Sequence, residues 1–163
     1  MNEKDLKILA NLRKNARMSL TDISRDTSIP ITTIFDKLKL FENKLILKHT
    51  SLLDFNKLGY NTRAKVILKV KNENKEELRN HLKNNQNVNS LYKINNNHDF
   101  LIEVIFKHIV DLESFLDNLE DKYGVLEKSV FYILEDIKRE GFLENINLYG
   151  GNKNGKKRTK KPL

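Results

Sequence analysis

The sequence predicts an α+β protein in which an N-terminal winged helix-turn-helix precedes a ferredoxin-like βαββαβ domain. Apolar residues recur at helical spacing early in the chain, whereas the middle alternates between apolar and polar residues as strands do. The 163 residues carry a net charge of +8, made up of +4 over positions 1–60, −1 over 61–140 and +5 over 141–163. A basic first part beside a near-neutral middle is typical of a protein that meets a polyanion through its N-terminal part.

Composition excludes several classes of protein. The chain contains no Cys, which excludes disulfides, thiolate metal sites and a cysteine nucleophile. No apolar run approaches the roughly 18 residues that span a bilayer, and the start, Met1–Asp5, lacks the apolar region of a signal peptide. We therefore expect a cytoplasmic protein without membrane attachment, and we expect no metal, no cofactor and no catalytic residue.

Three short helices are predicted in the N-terminal part. Asn2 is a candidate cap for the first helix, and Ser19 for a short second helix. Residues 27–30 then form a turn, because the residue before Pro30 is pushed out of the α region and Pro suits a first helical turn. The third helix runs to about Asn43, and its apolar stripe consists of Ile31, Ile34, Leu38 and Phe41.

The third helix carries small and polar residues opposite that stripe. A helix, a short helix, a turn and such a helix are the helix-turn-helix layout, here within about residues 20–42, whose last helix enters the major groove of DNA. The stretch 45–52 is rich in β-forming residues and is predicted to form a wing. The candidate DNA-binding residues are Ser19, Thr21, Thr32, Thr33, Phe35, Asp36, Lys37, Lys39, Lys48 and His49.

Three segments of this part resemble patterns of the Lrp/AsnC family of transcriptional regulators. Residues 5–9 match D-x-x-I-L, and residues 16–23 match A-R-x-S-x-x-x-I. Residues 33–46 are similar to T-V-x-x-R-I-x-x-L-E-x-x-G-V, with Lys37 in the place of the arginine and no glycine at the end of the helix, where the pattern has one. We expect Asn43 to adopt the left-handed conformation that this glycine supplies.

The middle of the chain predicts the second domain. Strands are expected over 62–71, 88–94, 100–106 and 125–134, and helices over 75–84 and from a cap at Asp111 to Tyr123-Gly124. We therefore divide the chain into a DNA-binding domain (1–53), a linker (54–61), an effector or RAM-type domain (62–138), and a C-terminal extension (139–163) whose basic tail is expected to be disordered.

One face of the predicted sheet is left without a cover. Two helices can cover only one face, yet the last strand is apolar on both sides, as its residues 130–134 show. An uncovered apolar face needs a partner, and we predict a homodimer that packs sheet against sheet. The alternative, that the linker or residues 140–149 fold back over this face, stays open at this point.

The family resemblance also implies a small-molecule site. In the RAM domain the turn between the middle strands resembles G-x-Y-D, and amino acids bind near it at contacts between dimers. The matching positions are Asn96, Asn97, His98 and Asp99. The candidate effector-binding residues are therefore Asn96, Asn97 and Asp99, and Asn96 is expected to provide the positive φ of the turn.

These observations predict a transcriptional regulator that binds double-stranded DNA at a pseudo-palindromic operator as a homodimer or homooctamer. It would block a promoter or recruit the basal transcription machinery. Two alternatives stay open. Some tetrapyrrole decarboxylases resemble this two-domain organisation but carry a His-Asn-Tyr pattern near the second strand, whereas residues 88–93 here lack the histidine. A small-molecule sensor that does not bind DNA is the other.

Overall fold

The computed structural model describes residues 1–144, which form two compact units. One unit comprises Met1–Ser51 together with residues 137–144, and the other comprises Leu52–Asp136. The predicted disorder of the basic tail falls largely on residues 145–163, which lie outside the described residues. The elements are α1 (Glu3–Lys14), α2 (Leu20–Thr27), α3 (Ile31–Lys44), β1 (Thr62–Val70), α4 (Lys75–Asn84), β2 (Val88–Lys93), β3 (Phe100–Phe106), α5 (Ile109–Tyr123) and β4 (Val125–Tyr132).

The helical unit begins with the caps that the sequence predicts. Asn2 caps α1 through a reciprocal capping box with Asp5, in which each side chain accepts a hydrogen bond from the other residue's backbone N–H. Ser19 caps α2 by accepting from the Asp22 N–H. The core of this unit is formed by Ile8, Leu9, Ile23, Ile29, Ile34 and Phe41.

Three expectations for this unit are wrong. Ile31 is 44% exposed, because at the first position of α3 it lies beyond the reach of the core. Asn43 is helical and has no positive φ, since α3 continues to Lys44 and ends at Leu45 with φ −131°. Residues 45–52 form no strand, because no described segment provides the hydrogen-bonding neighbour that a strand needs.

The second unit is the predicted ferredoxin-like βαββαβ fold. Its four strands are antiparallel in the order β2-β3-β1-β4. Alternate residues of β1, namely Ala64, Val66, Leu68 and Val70, are buried against α4 and α5. The α+β fold class predicted from the sequence is therefore confirmed.

The bounds of two elements differ from the prediction. α5 begins at Ile109 after His108, so that Asp111 lies in the first turn rather than at the cap. β4 ends at Tyr132, and Leu134 is 96% exposed. The chain after β4 contacts α1, where Arg13 donates hydrogen bonds to the backbone carbonyls of Glu140 and Phe142.

The face of the sheet that α4 and α5 do not cover is here called the open sheet face. Phe55 of the linker lies beside Arg63 at one end, with its ring centroid 5.9 Å from the guanidinium carbon, so the linker covers that end. Phe131, in contrast, is 55% exposed. Residues 140–144 group with the helical unit rather than with the sheet, and 145–149 lie outside the described residues. The residues of the open sheet face include Arg63, Lys65, Ile67, Leu101, Glu103 and Phe131.

No helix within residues 1–144 is long and apolar enough to cross a membrane.

Candidate nucleic-acid interface

The turn between α2 and α3 is closed by local hydrogen bonds. Ser28 adopts the left-handed conformation with φ 55° and ends α2. The Ser24 hydroxyl donates to the Ile29 carbonyl at 2.6 Å, and Pro30 precedes α3 as its cap residue. These contacts hold the short turn that a helix-turn-helix requires.

Packing of α3 decides which of its faces meets solvent. Ile34 is fully buried and Phe41 is 5% exposed, and both contact the core formed with α1 and α2. At 100° per residue, the opposite side carries Thr32, Asp36, Lys39 and Asn43. All four are exposed, and together they are here called the recognition face.

Two further candidates flank the recognition face. Thr33 is half-buried, and Phe35 is 46% exposed. The Lys39 ammonium nitrogen lies 4.5 Å from the centroid of the Phe35 ring, a cation–π contact that orients both side chains. Within residues 1–144, Thr32, Asp36 and Asn43 make no side-chain hydrogen bond or ion pair.

Lys37 does not point to the recognition face. Its ammonium forms an ion pair with the Asp5 carboxylate of α1 at 2.9 Å, and its side chain is only 32% exposed. The Asn2 backbone N–H and the Lys37 ammonium hold the pKa of Asp5 below its ordinary value of 3.8. Since Asp5 is buried and needs this cation, the assignment of Lys37 to a DNA phosphate is corrected to a contact between α1 and α3.

The remaining predicted DNA-binding residues lie around α2 and after α3. The Ser19 hydroxyl both caps α2 and donates to the Asp22 carboxylate at 2.6 Å, so its hydrogen bonds are used within the protein. Thr21 and Lys48 are exposed. His49 is also exposed and lies 3.4 Å from the Glu42 carboxylate.

The N-terminus of α3 differs from those of α1 and α2. Pro30 provides no side-chain hydrogen bond to it, and its first turn contains no acidic residue. α1 and α2, in contrast, have an N-cap side chain and acidic residues in the first turn. The backbone N–H groups at the start of α3 therefore have no competing carboxylate, which suits contact with phosphate.

The predicted effector turn is formed by Asn96 and Asn97, whose φ angles are 62° and 63°. These positive values at two central residues are those of a type I′ hairpin turn, and the expected positive φ of Asn96 is confirmed. The Asp99 carboxylate accepts from the Val70 N–H at 2.9 Å and pairs with the Lys75 ammonium at 2.7 Å. Burial raises the pKa of Asp99, but these two contacts outweigh it and hold the pKa below 3.8.

The open sheet face contains a charged network that sequence reasoning missed. Arg63 donates to the carboxylates of Glu103 and Asp136, and Glu103 also accepts from Asn89 and Ser90. The partners of Arg63 lie 40 and 73 positions away in the chain. The folding of the sheet brings these residues together. In the sequence, the alternation of Arg63 with apolar neighbours indicates only that Arg63 lies on the other face of the strand.

No group of three or more His, Asp or Glu side chains within residues 1–144 is placed to hold a metal ion.

Both parts of the chain match known protein families. Residues 1–44 match the family of winged helix-turn-helix DNA-binding domains. Residues 63–142 match the Lrp/AsnC ligand binding domain. With a recognition face on α3, these matches define the class of the protein, which is a helix-turn-helix transcriptional regulator.

Curated relatives align with most of this chain. The HTH-type transcriptional regulator FL11 of Pyrococcus furiosus is 30% identical over 122 residues, which are 74% of this chain and 81% of that protein. An uncharacterized HTH-type transcriptional regulator of Pyrococcus abyssi is 23% identical over 145 residues, 88% of this chain and 99% of the relative. The chain belongs to the Lrp/AsnC family, which confirms the resemblance predicted from its motifs.

Solved structures share the fold. A transcriptional regulator of Neisseria meningitidis, in complex with L-Met, superposes with a TM-score of 0.79 at 17% identity and covers 85% of this chain and 93% of its own. LrpC of B. subtilis has a TM-score of 0.77 at 19% identity, with coverage of 85% and 97%. At these identities the comparison concerns the fold alone.

Proposed function

We propose that this regulator binds double-stranded DNA as a homodimer and recognises its operator through the recognition face of α3. The proposal rests on the exposure of the side chains on that face and on their lack of partners. Thr32 and Asp36 are exposed and make no side-chain hydrogen bond or ion pair within the described chain. Polar groups in this state, on the last helix of a helix-turn-helix, are free to contact base edges.

The shape of the recognition face supports close approach to the groove floor. Thr32 and Thr33 are small, so that the start of α3 can lie deep in the major groove while its N–H groups contact phosphate. Lys39, Thr21, Lys48 and His49 provide the candidate contacts at the groove edges. Phosphate contacts supply most of the affinity, and base contacts supply the choice of sequence.

The open sheet face supports self-association. It exposes Phe131 and places Ile67 and Leu101 beside the ion pairs Arg63–Glu103 and Lys69–Glu127. A second copy of the same face is the simplest apolar partner. A two-fold dimer would place two α3 helices in successive major grooves roughly 34–36 Å apart, which requires a pseudo-palindromic operator. An octamer would be an assembly of such dimers.

An amino acid is the proposed effector. The support is the match of residues 63–142 to a ligand binding domain and the L-Met bound to the Neisseria meningitidis protein. Asn96 and Asn97 are the candidate contacts, and Asp99 would position the turn, because both its oxygens are already bound by Val70 and Lys75. The bound effector would change how the regulator blocks a promoter or recruits the basal transcription machinery.

The two other functions considered for this sequence receive less support. The curated relatives are described as transcriptional regulators, which disfavours the hypothesis that this chain is a tetrapyrrole-decarboxylase-like enzyme. A sensor without DNA binding would have no use for an exposed, unpaired recognition face. The proposed domain boundaries remain 1–53, 54–61, 62–138 and 139–163.

Selection of bound sequences from a random DNA pool tests the proposed function. The full chain is expected to enrich a pseudo-palindrome whose half-sites lie about 10–10.5 base pairs apart or a multiple of that. A triple variant (Thr32→Ala, Thr33→Ala, Lys39→Ala) is expected to lose about a hundredfold or more of operator affinity and to stay dimeric by light scattering. Lys37 is left unchanged because it pairs with Asp5.

A matched control removes the same kinds of group from another helix. Ser114→Ala with Lys122→Ala deletes a hydroxyl and an ammonium from exposed positions of α5. This double variant is expected to bind the selected operator as the unmodified chain does. Equal binding by the triple variant and the control would contradict the assignment of α3 to the groove.

A further inference from the structure

The recognition helix of this protein has an unusual set of side chains for a DNA-reading element. α3 has the sequence ITTIFDKLKLFENK, which contains no arginine, the residue that most often recognises guanine. Lys37 is withdrawn by its ion pair with Asp5, and Lys39 lies over the Phe35 ring. The groups left to distinguish bases are therefore the Phe35 ring, the Asp36 carboxylate, the small hydroxyls and, near the end of the helix, the Asn43 amide.

Phe35 is an apolar group placed where the groove is expected. Phe35 is 46% exposed, although burial of an aromatic side chain is one of the larger sources of stability. The ring lies beside the recognition face, with the Lys39 ammonium of that face 4.5 Å from its centroid. The apolar group that DNA offers in the major groove is the 5-methyl of thymine, and Phe35 is suited to contact it.

Asp36 is a carboxylate on a surface that would meet a polyanion. It is exposed, and no cation within residues 1–144 pairs with it. Near phosphates a carboxylate is repelled, so this residue weakens any binding that rests on the backbone alone. A carboxylate can be accommodated in the groove where a base presents an exocyclic amino group, such as cytosine N4 or adenine N6.

We infer that each half of the operator presents a thymine methyl to Phe35 and an exocyclic base amino group to Asp36 on a neighbouring base pair. The inference rests on the proposed function, because it concerns the same face of α3. In this arrangement Phe35 provides an apolar contact to one base, and Asp36 discriminates by penalising every site where no amino group meets it.

Replacement of thymine by deoxyuridine tests the first contact without changing the protein. The substitution removes only the 5-methyl group, and it is made at each thymine of the selected operator in turn. At one thymine of each half-site we expect roughly a fourfold loss of affinity, the factor that one buried methyl group contributes. Other thymines serve as internal controls and are expected to show no change.

Two variants assign that methyl to Phe35. Phe35→Ala is expected to bind the thymine and uracil forms of the operator equally, because the ring is gone. Phe35→Leu keeps an apolar side chain and is expected to retain part of the difference. The uracil scan on the unmodified chain needs no variant, so the inference stays testable if either substitution impairs folding.

Asp36→Ala tests the second contact. Removing the carboxylate is expected to raise affinity for random DNA severalfold and to lower the ratio of operator to random binding. At the base pair that presents the amino group, discrimination is expected to disappear in this variant alone. The matched control is Asp121→Ala, which removes an exposed acidic residue from α5, in the other compact unit.

The outcomes separate this inference from the proposed function. If no defined operator is selected, the proposed function fails and the inference with it. If an operator is selected but no thymine is sensitive to loss of its methyl, or if Asp36→Ala leaves discrimination unchanged, the inference is overturned while the proposed function stands.

Discussion

The recognition face and the open sheet face carry polar side chains in opposite states of pairing. On the recognition face, Thr32 and Asp36 have no partner in the described chain. On the open sheet face, Arg63 is paired with Glu103 and Asp136, and the apolar Phe131 is exposed beside Lys65. Unpaired polar groups suit a ligand with many donors and acceptors, whereas paired charges around apolar residues suit a protein surface of the same kind.

This difference shows that exposure alone does not indicate what a surface binds. An exposed Phe lies beside the recognition face and another on the open sheet face, and both faces contain charged residues, so a map of exposed residues would not distinguish them. The hydrogen bonds distinguish them, because a polar group that is satisfied within the protein contributes little to a new contact. The contrast can be tested by changing one group on each face and measuring whether dimer formation or DNA binding is affected.

Phe131→Glu is expected to have the largest effect, because it replaces an exposed apolar side chain of the proposed dimer interface with a carboxylate. The opposing residue in the sheet is Lys65, so the new charge can pair within the monomer and the fold is retained. Burying that charge against a second copy is costly. We expect dimer dissociation to become at least a hundredfold more favourable, as measured by sedimentation equilibrium, with a parallel loss of operator binding.

The control for this variant lies on the other side of the sheet. Val110 is 68% exposed on α5, so Val110→Glu introduces the same charge at an equally accessible apolar position. The dimer should be unaffected by this change. If both variants dissociate equally, or neither does, the open sheet face is not the dimer interface.

Much of the fold could be predicted from the sequence, because its elements rest on local signals. The observed bounds of α4 (Lys75–Asn84) and β3 (Phe100–Phe106) are those predicted, since periodicity and flanking polar residues define both. Residues 45–52 show the limit of such signals. Their composition favours a strand, but a strand forms only beside a neighbour, and composition does not reveal whether a neighbour exists.

The candidate site was predictable to the same extent. The exposure of Thr32 and Asp36 follows from helical spacing alone. The pairing of Lys37 with Asp5 does not, because it depends on how α1 packs against α3. Sequence patterns therefore predict which residues share a face, but not which charged residues on that face are withdrawn by tertiary contacts.

Asp5→Asn is expected to have the next largest effect, on the stability of the helical unit. Asn keeps the shape of the side chain but leaves the Lys37 ammonium, itself two-thirds buried, without its carboxylate. We expect a loss of about 2 kcal/mol, detected as faster hydrogen exchange in α1–α3 with exchange in β1–β4 unchanged. Glu3→Gln, which breaks the exposed Glu3–Lys7 pair, is the control and should cost less than about 0.5 kcal/mol.

The smallest predicted effect concerns the pH dependence of the network on the open sheet face. Burial raises the pKa of Glu103, but hydrogen bonds from Arg63 and Asn89 outweigh burial and hold the pKa below the ordinary value of 4.5. A carboxylate with a lowered folded-state pKa stabilises the fold above its ordinary pKa, and this contribution is lost as the pH falls through the folded-state pKa. Glu103→Gln should therefore cost about 1 kcal/mol near pH 7, measured by hydrogen exchange in β1 and β3.

The same comparison in acid decides whether the charge of Glu103 or its packing is responsible. Below pH 4.5 the difference between the unmodified chain and Glu103→Gln should shrink as Glu103 itself becomes protonated. Glu127→Gln, at the exposed pair with Lys69, should change stability by less than about 0.5 kcal/mol near pH 7. A difference for Glu103→Gln that stays constant from pH 7 into acid would mean that the carboxylate contributes through shape, and the contrast between paired and unpaired charges would then lose its energetic basis.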